Sequence, residues 1–266
     1  MTAFNDLAEK LLIGDIGSKD FFSAVNSIDK LRDFGISSVF DLQCLGLDVE
    51  EIDEFIKLKT KTRNITEQRF CVVDIETNGC ALKDAKIIEI GAVIVQNGEI
   101  IDEFNSLAYA GFLSDVVVKL TGITQEMLED APSEALVLEQ FRGFIKDSVF
   151  VAHNVEFDYN FLSYAYLRHK MPPLLNRRLC TISLGRKTFE APRYGLQALR
   201  EHFEITEGVA HRAFWDAKSA AQIFNISCKN LCEDIVTTED LLLFAKENRE
   251  KKIKAQRKLP IFEEEV

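Results

Sequence analysis

Phe70-Cys71-Val72-Val73-Asp74-Ile75-Glu76-Thr77-Asn78-Gly79 is an apolar run that ends in two carboxylates and a turn signal. Side chains alternate along a strand, so Asp74 and Glu76, two residues apart, point to one face. Two anions side by side at the end of a hydrophobic strand raise each other's free energy unless a cation neutralises them. A divalent metal ion is the simplest such cation.

Two further segments carry acids in comparable settings. In Val151-Ala152-His153-Asn154-Val155-Glu156-Phe157-Asp158-Tyr159-Asn160-Phe161-Leu162 a short apolar strand runs into a helical pattern, with Asp158 one turn inside it. In His211-Arg212-Ala213-Phe214-Trp215-Asp216-Ala217 the histidine precedes a helix that carries Asp216 inward. Taken alone, Asp158 and Asp216 read as exposed helix carboxylates and His211 as a loop histidine. Their order and spacing after Asp74 and Glu76 point to a shared site.

These three segments together resemble the DnaQ-like 3′–5′ exonucleases of the DEDDh class, whose signatures are D-x-E, H-N-x-x-F-D-x-x-F-L and H-x-x-x-x-D. Ile88-Glu89-Ile90-Gly91-Ala92, Thr121-Gly122-Ile123-Thr124, Cys180-Thr181 and Tyr194-Gly195-Leu196 are lesser matches. The resemblance covers roughly residues 68 to 230. It implies an α/β ribonuclease H-like fold, a mixed five-stranded sheet flanked by helices. It also implies two divalent cations, Mg²⁺ or Mn²⁺, which suit oxygen ligands. Asp74 would bridge both ions, Glu76 and Asp216 would hold the nucleophile-side ion, and Asp158 would act on the other. His211 would take the proton of the attacking water, a task suited to an imidazole. Thr77, Asn78, Gly79 and Thr121 are carried over as substrate-binding candidates.

The rest of the chain sets the context. A length of 266 residues and 47% hydrophobic content fit one catalytic domain plus a small module. Residues 1–66 read as a small helical module of open role. Phe21, Phe22, Val25, Ile28 and Leu31 recur at helical intervals, and Asp48 with Glu51 predicts a capped second helix bearing Ile52, Phe55 and Ile56. Residues 67–232 form the exonuclease domain, in which Lys86–Val95, the turn Gln96-Asn97-Gly98 and Glu99–Leu107 predict a hairpin. Residues 233–266 form a C-terminal tail, with a helical candidate near Leu241–Phe244, then a basic stretch and an acidic end.

A formal charge of −11 argues against a broad basic groove for long duplex nucleic acid, so a separate partner is expected to hold most of the substrate. The resemblance runs most to proofreading subunits of bacterial polymerase III. It implies a single-stranded or frayed DNA 3′ end as substrate and a polymerase III catalytic subunit as partner. Gln256–Phe262 is similar to short peptides that dock on sliding clamps. A stand-alone exonuclease trimming RNA or damaged DNA, and a noncatalytic scaffold of a replication complex, remain as alternatives. The apolar runs are far short of a membrane span and the start lacks signal-peptide character, so a cytoplasmic location is expected. The six cysteines lack zinc spacing and read as reduced core residues.

Overall fold

The computed structural model describes residues 2–246, with side chains from Leu7 onward. The basic stretch beyond Lys246, the clamp-like Gln256–Phe262 and the acidic end lie outside the described residues. At its centre is a five-stranded mixed sheet, as the sequence predicts. Its strands are β4 (Phe70–Thr77), β5 (Ile87–Gln96), β6 (Glu99–Leu107), β7 (Val149–Ala152) and β8 (Arg178–Cys180), in the order β6-β5-β4-β7-β8. The β4–β5–β6 meander is antiparallel, whereas β4, β7 and β8 run parallel. Asn97 and Gly98, both at positive φ, close the β5–β6 hairpin.

Nearly every residue of β5 is buried because helices cover both faces of the sheet. Cys71, Val73 and Ile75 of β4 face one layer, which includes α7 (Glu134–Ile145) and α8 (Val155–Arg168). Phe70 and Val72 face the other, where α11 (Ala213–Lys229) and α12 (Thr238–Lys246) pack. Asp74 and Glu76 continue the Phe70–Val72 row, so the strand's own alternation carries them to the α11 side. The remaining helices of the domain are α5 (Asp115–Thr121), α6 (Gln125–Glu129), α9 (Thr181–Thr188) and α10 (Leu196–His202). Directly after β8, Thr181–Ser183 opens α9.

The N-terminal residues are partly helical, through α1 (Thr2–Ile13), α2 (Ser18–Asn26), α3 (Asp29–Arg32) and α4 (Val39–Cys44). The expected second helix after Asp48 is a correction to the helical reading. Strands β2 (Val49–Ile52) and β3 (Phe55–Leu58) form a hairpin there, and β1 (Ile16–Gly17) adds a third strand. Asp53 and Glu54 take φ of 53° and 65°, turning the chain as a two-residue hairpin loop. The apolar residues that suggested a helical stripe are split. Ile56 joins the core with Val49 and Leu58 on one face, while Ile52 and Phe55 are exposed at the tip. Asp48 caps nothing; it is buried against Arg63 and Lys59.

This module is joined to the exonuclease domain by packing and by buried polar bonds. Leu175 completes its core, and the Leu175 amide donates to the Leu45 carbonyl at 2.7 Å. Within the predicted tail, Leu241, Leu242 and Ala245 of α12 are buried against the sheet layer. Glu239 of α12 is buried, pairs with Arg177 and accepts from Thr60 Oγ1 at 2.8 Å. One carboxylate thereby links all three predicted segments. All six cysteines are free; Cys71 is buried as expected, but Cys44, Cys80 and Cys232 are exposed.

Removing one partner of a buried ion pair leaves the other charge without compensation. Glu239→Ala is therefore expected to lower stability by about 3–5 kcal/mol, measured by urea unfolding. A midpoint equal to wild type would mean that Arg177 finds water or another acid.

Candidate active site

The C-terminal end of β4 brings the predicted acids together. Asp74 is opposite Gly91 in register and Glu76 is opposite Glu89. Gly91 is required by contact. A Cβ there would lie 2.1 Å from the Phe214 amide nitrogen, so only glycine lets the start of α11 rest on β5 beside Asp74. That approach delivers Asp216, in the first turn of α11, to the carboxylates. Glu76, His211 and Asp216 each offer a ligand atom within 4.8 Å of the others.

Asp158 arrives from the opposite layer, in the first turn of α8, where it is buried and the backbone amides of Ile75 and of Asp158 itself favour its charged form. The helix entry depends on Asn154 in the left-handed region, φ 81°. His153 ties the strand end to two neighbouring segments: Nδ1 meets Thr181 Oγ1 at 2.8 Å and Nε2 the Tyr194 carbonyl at 2.9 Å. Burial lowers its pKa to about 4, against the Tyr194 carbonyl, which favours the protonated ring.

The acids strain one another. Burial, then Asp158, Asp216 and Glu76, hold the Asp74 carboxyl well above the usual carboxylate range. Burial with Asp216, Glu89 and Asp158 pushes Glu76 up to about 8, and burial pushes Asp158 to about 8. Asp216 is raised by burial too, against a 2.9 Å bond from the His211 amide and the Arg200 guanidinium at 3.3 Å. Among the described residues no ion pair reaches Asp74, Glu76 or Asp158. An all-oxygen cluster with this much uncompensated charge fits hard divalent cations.

The substrate-binding candidates lie apart in role. Thr77 Oγ1 donates to the Gly79 carbonyl at 2.8 Å, and Asn78 Oδ1 accepts from the Lys86 amide at 2.7 Å, so both side chains order the turn after β4. A Cβ on Gly79 would meet only Ala85, at 3.5 Å, so no crowding inside the protein demands glycine there. Thr121 is buried at the end of α5, donating to the Val117 carbonyl at 3.0 Å and accepting from the Ile123 amide at 3.1 Å. Trp215 packs on Gly208, where a Cβ would fall 2.3 Å from the ring.

Three residues that the motif reading left aside belong to the setting: Glu89, Arg200 and Arg212. Glu89 is fully buried and bonded to Arg212. The signal for it was a lone charge within Ile87–Val95, a strand otherwise without one, which needs a partner.

A mixed sheet of this order with four carboxylates and a histidine around the end of its central strand defines a nuclease of the ribonuclease H-like class that depends on divalent metal ions. The chain belongs to the RNase_T family, described as exonuclease, whose family model matches residues 71–224. It is a DnaQ-like exonuclease of the DEDDh class.

Relatives include the PolC-type DNA polymerase III of Staphylococcus epidermidis, 37% identical over 183 residues, which cover 67% of this chain and 13% of the relative. The PolC-type enzyme of Pediococcus pentosaceus is 30% identical over 200 residues, covering 74% of this chain and 14% of the relative. The chain thus spans a small part of the length of these proteins. Among solved structures, the nuclease domain of 3′hExo, a DEDDh family member bound to rAMP, shares the fold with a TM-score of 0.55. Its sequence is 20% identical, and the match covers 63% of this chain and 94% of that one. E. coli Exonuclease I in complex with a dT13 oligonucleotide gives 0.57 at 16% identity, over 62% of this chain and 42% of that one.

The raised carboxyls set a pH dependence. Folded Glu76 and Asp158 hold protons up to about pH 8 that the unfolded chain releases near pH 4–4.5. The folded state therefore binds more protons in that window, and metal-free stability is expected to fall as pH rises from about 4.5 to 8. Divalent cations compete with those protons. The melting temperature gained with MnCl₂ should thus grow from pH 5 to pH 8 in calorimetry, and a gain independent of pH would contradict a cation bound by these carboxyls.

Proposed function

We propose that the chain is a 3′–5′ exonuclease that removes nucleoside monophosphates from DNA 3′ ends and proofreads for a bacterial DNA polymerase III, in the role of the epsilon subunit. The observation that carries the reading is the convergence of Asp74, Glu76, Asp158 and Asp216 with His211 at one strand end. The polymerase context is supported by the identity to PolC-type polymerases. That likeness speaks for polymerase III in general and does not single out an epsilon subunit.

Asp74, Glu76, Asp158 and Asp216 would hold two cations, Mg²⁺ or Mn²⁺. When bound, such ions supply charge neutralisation on the phosphoryl oxygens and a more acidic water. The chain's own residues do the rest. His211 is solvent-exposed, so its imidazole can accept the proton of the attacking water and pass it to bulk solvent. The Asp216 carboxylate fixes the His211 amide and so the approach of the ring. The turn of Thr77, Asn78 and Gly79, ordered by its own bonds, offers backbone to the terminal nucleotide, and Thr121 supports the neighbouring helix end. Single-stranded or frayed ends are preferred because a paired end must first be opened, at a cost of a few kcal/mol. A polymerase III catalytic subunit would deliver that end to an acidic enzyme in the cytoplasm.

Asp74→Ala is expected to abolish release of mononucleotides from a 5′-labelled oligonucleotide while the circular dichroism spectrum is retained. Turnover at the wild-type rate would refute the assignment. His211→Ala should slow turnover by about 10²–10⁴-fold with Mn²⁺ binding kept, measured by calorimetric titration. Comparing single-stranded DNA with RNA, together with capture of a polymerase III catalytic subunit, separates proofreading from stand-alone trimming.

A further inference from the structure

Glu89 is a carboxylate at the heart of a strand with no exposed surface. Its oxygens are fully spoken for. Arg212 Nη2 donates to Oε1 at 2.8 Å and Nε to Oε2 at 3.2 Å, and the Ala213 amide donates to Oε2 at 2.9 Å. The paired planar guanidinium and carboxylate fix orientation as well as charge. Ala213 is the first residue of α11, and Arg212, at its N-cap, gives no side-chain cap of its own. The cap comes instead from a strand far away in sequence, the strand that lies in register with Asp74 and Glu76.

His211 stands immediately before this pair with φ +60°, in the left-handed region that a side chain disfavours. Such a conformation persists where surrounding bonds over-determine it. Here they do so from both sides. Asp216 accepts the His211 amide at 2.9 Å, and Arg200 holds Asp216 at 3.3 Å while donating to the carbonyls of Glu207 and Gly208 at 3.0 and 3.2 Å. Glu89 fastens the next two residues.

We propose that the Glu89–Arg212 pair is a positioning clamp: it anchors the strained segment that carries His211 to β5, and so sets the imidazole against the carboxylates of β4 and α11. The clamp rests on the reading of His211 as the proton acceptor. Glu89 and Arg212 are positioning residues; neither needs to meet the substrate. Because β5 is also the strand that registers with β4, the clamp ties the segment carrying the proton acceptor to the strand beside Glu76.

The test is a double-mutant cycle with single-stranded DNA and saturating Mn²⁺. Glu89→Gln keeps an acceptor for the Ala213 amide but removes the charge, and Arg212→Lys keeps the charge but loses the paired geometry. Each is expected to lower kcat by about 10–100-fold, the scale of a small misplacement of a reacting group, with KM within about twofold. The clamp acts through His211, so Glu89→Gln/His211→Ala and Arg212→Lys/His211→Ala should be no slower than His211→Ala alone. Losses that multiply in both doubles, or unchanged kcat in both single variants, overturn the clamp. Should Glu89→Gln fail to fold, the Arg212→Lys cycle decides by the same criteria. An inactive wild type or a His211→Ala variant at full rate would instead strike the nuclease reading itself, and the clamp with it.

Discussion

Mutual repulsion among Asp74, Glu76, Asp158 and Asp216 is the constraint around which the rest of this molecule is arranged. Burial raises all four carboxyls, and the neighbouring acids push Asp74 and Glu76 up further. A chain free to relax would move these groups apart. They stay together because each is mounted on a rigid element: two on the central strand, and one in the first turn of each of two helices. Bound cations, as proposed, would relieve the repulsion that this proximity creates.

The scaffold achieves this by putting different layers to work on one strand end. The face of β4 that carries Phe70 and Val72 into the α11 layer also carries Asp74 and Glu76. The opposite face packs on α8, whose N-terminal turn swings Asp158 over the end of the strand to the Ile75 amide. Gly91 completes the arrangement by removing a side chain from the place where α11 must touch β5. Apolar packing brings the layers together, and two arginines, the buried Arg200 and the half-buried Arg212, fix the segment between α10 and α11.

The N-terminal residues and α12 are part of the same packed body. Glu239, paired with Arg177 and bonded to Thr60, crosses the divisions that motif content suggests. Buried ion pairs add little net stability compared with apolar substitutes, but each partner depends strongly on the other. The module therefore takes part in the fold of the whole, whatever further contact its exposed hairpin tip makes.

Legible in the sequence were the elements whose cause is local. Alternation in Phe70–Thr77 gave the strand and the common face of Asp74 and Glu76, the Asn97–Gly98 turn gave the hairpin, and three ordered motifs gave the family and four acids with a histidine. Asp48–Leu58 misled because Ile52, Phe55 and Ile56 satisfy a helical period while Val49, Ile56 and Leu58 satisfy a strand period; the core of the module chose the second. Glu89, Arg200 and Arg212 drew no attention as site residues, since a charge in a buried strand announces only that some partner exists. Which partner, and on which side of His211, is a matter of strand register and helix placement. Sequence alone thus determined the chemical groups and the strand that bears two of them; tertiary structure decided their mutual distances, because those follow from packing between segments far apart in the chain, whose spacing no local pattern encodes.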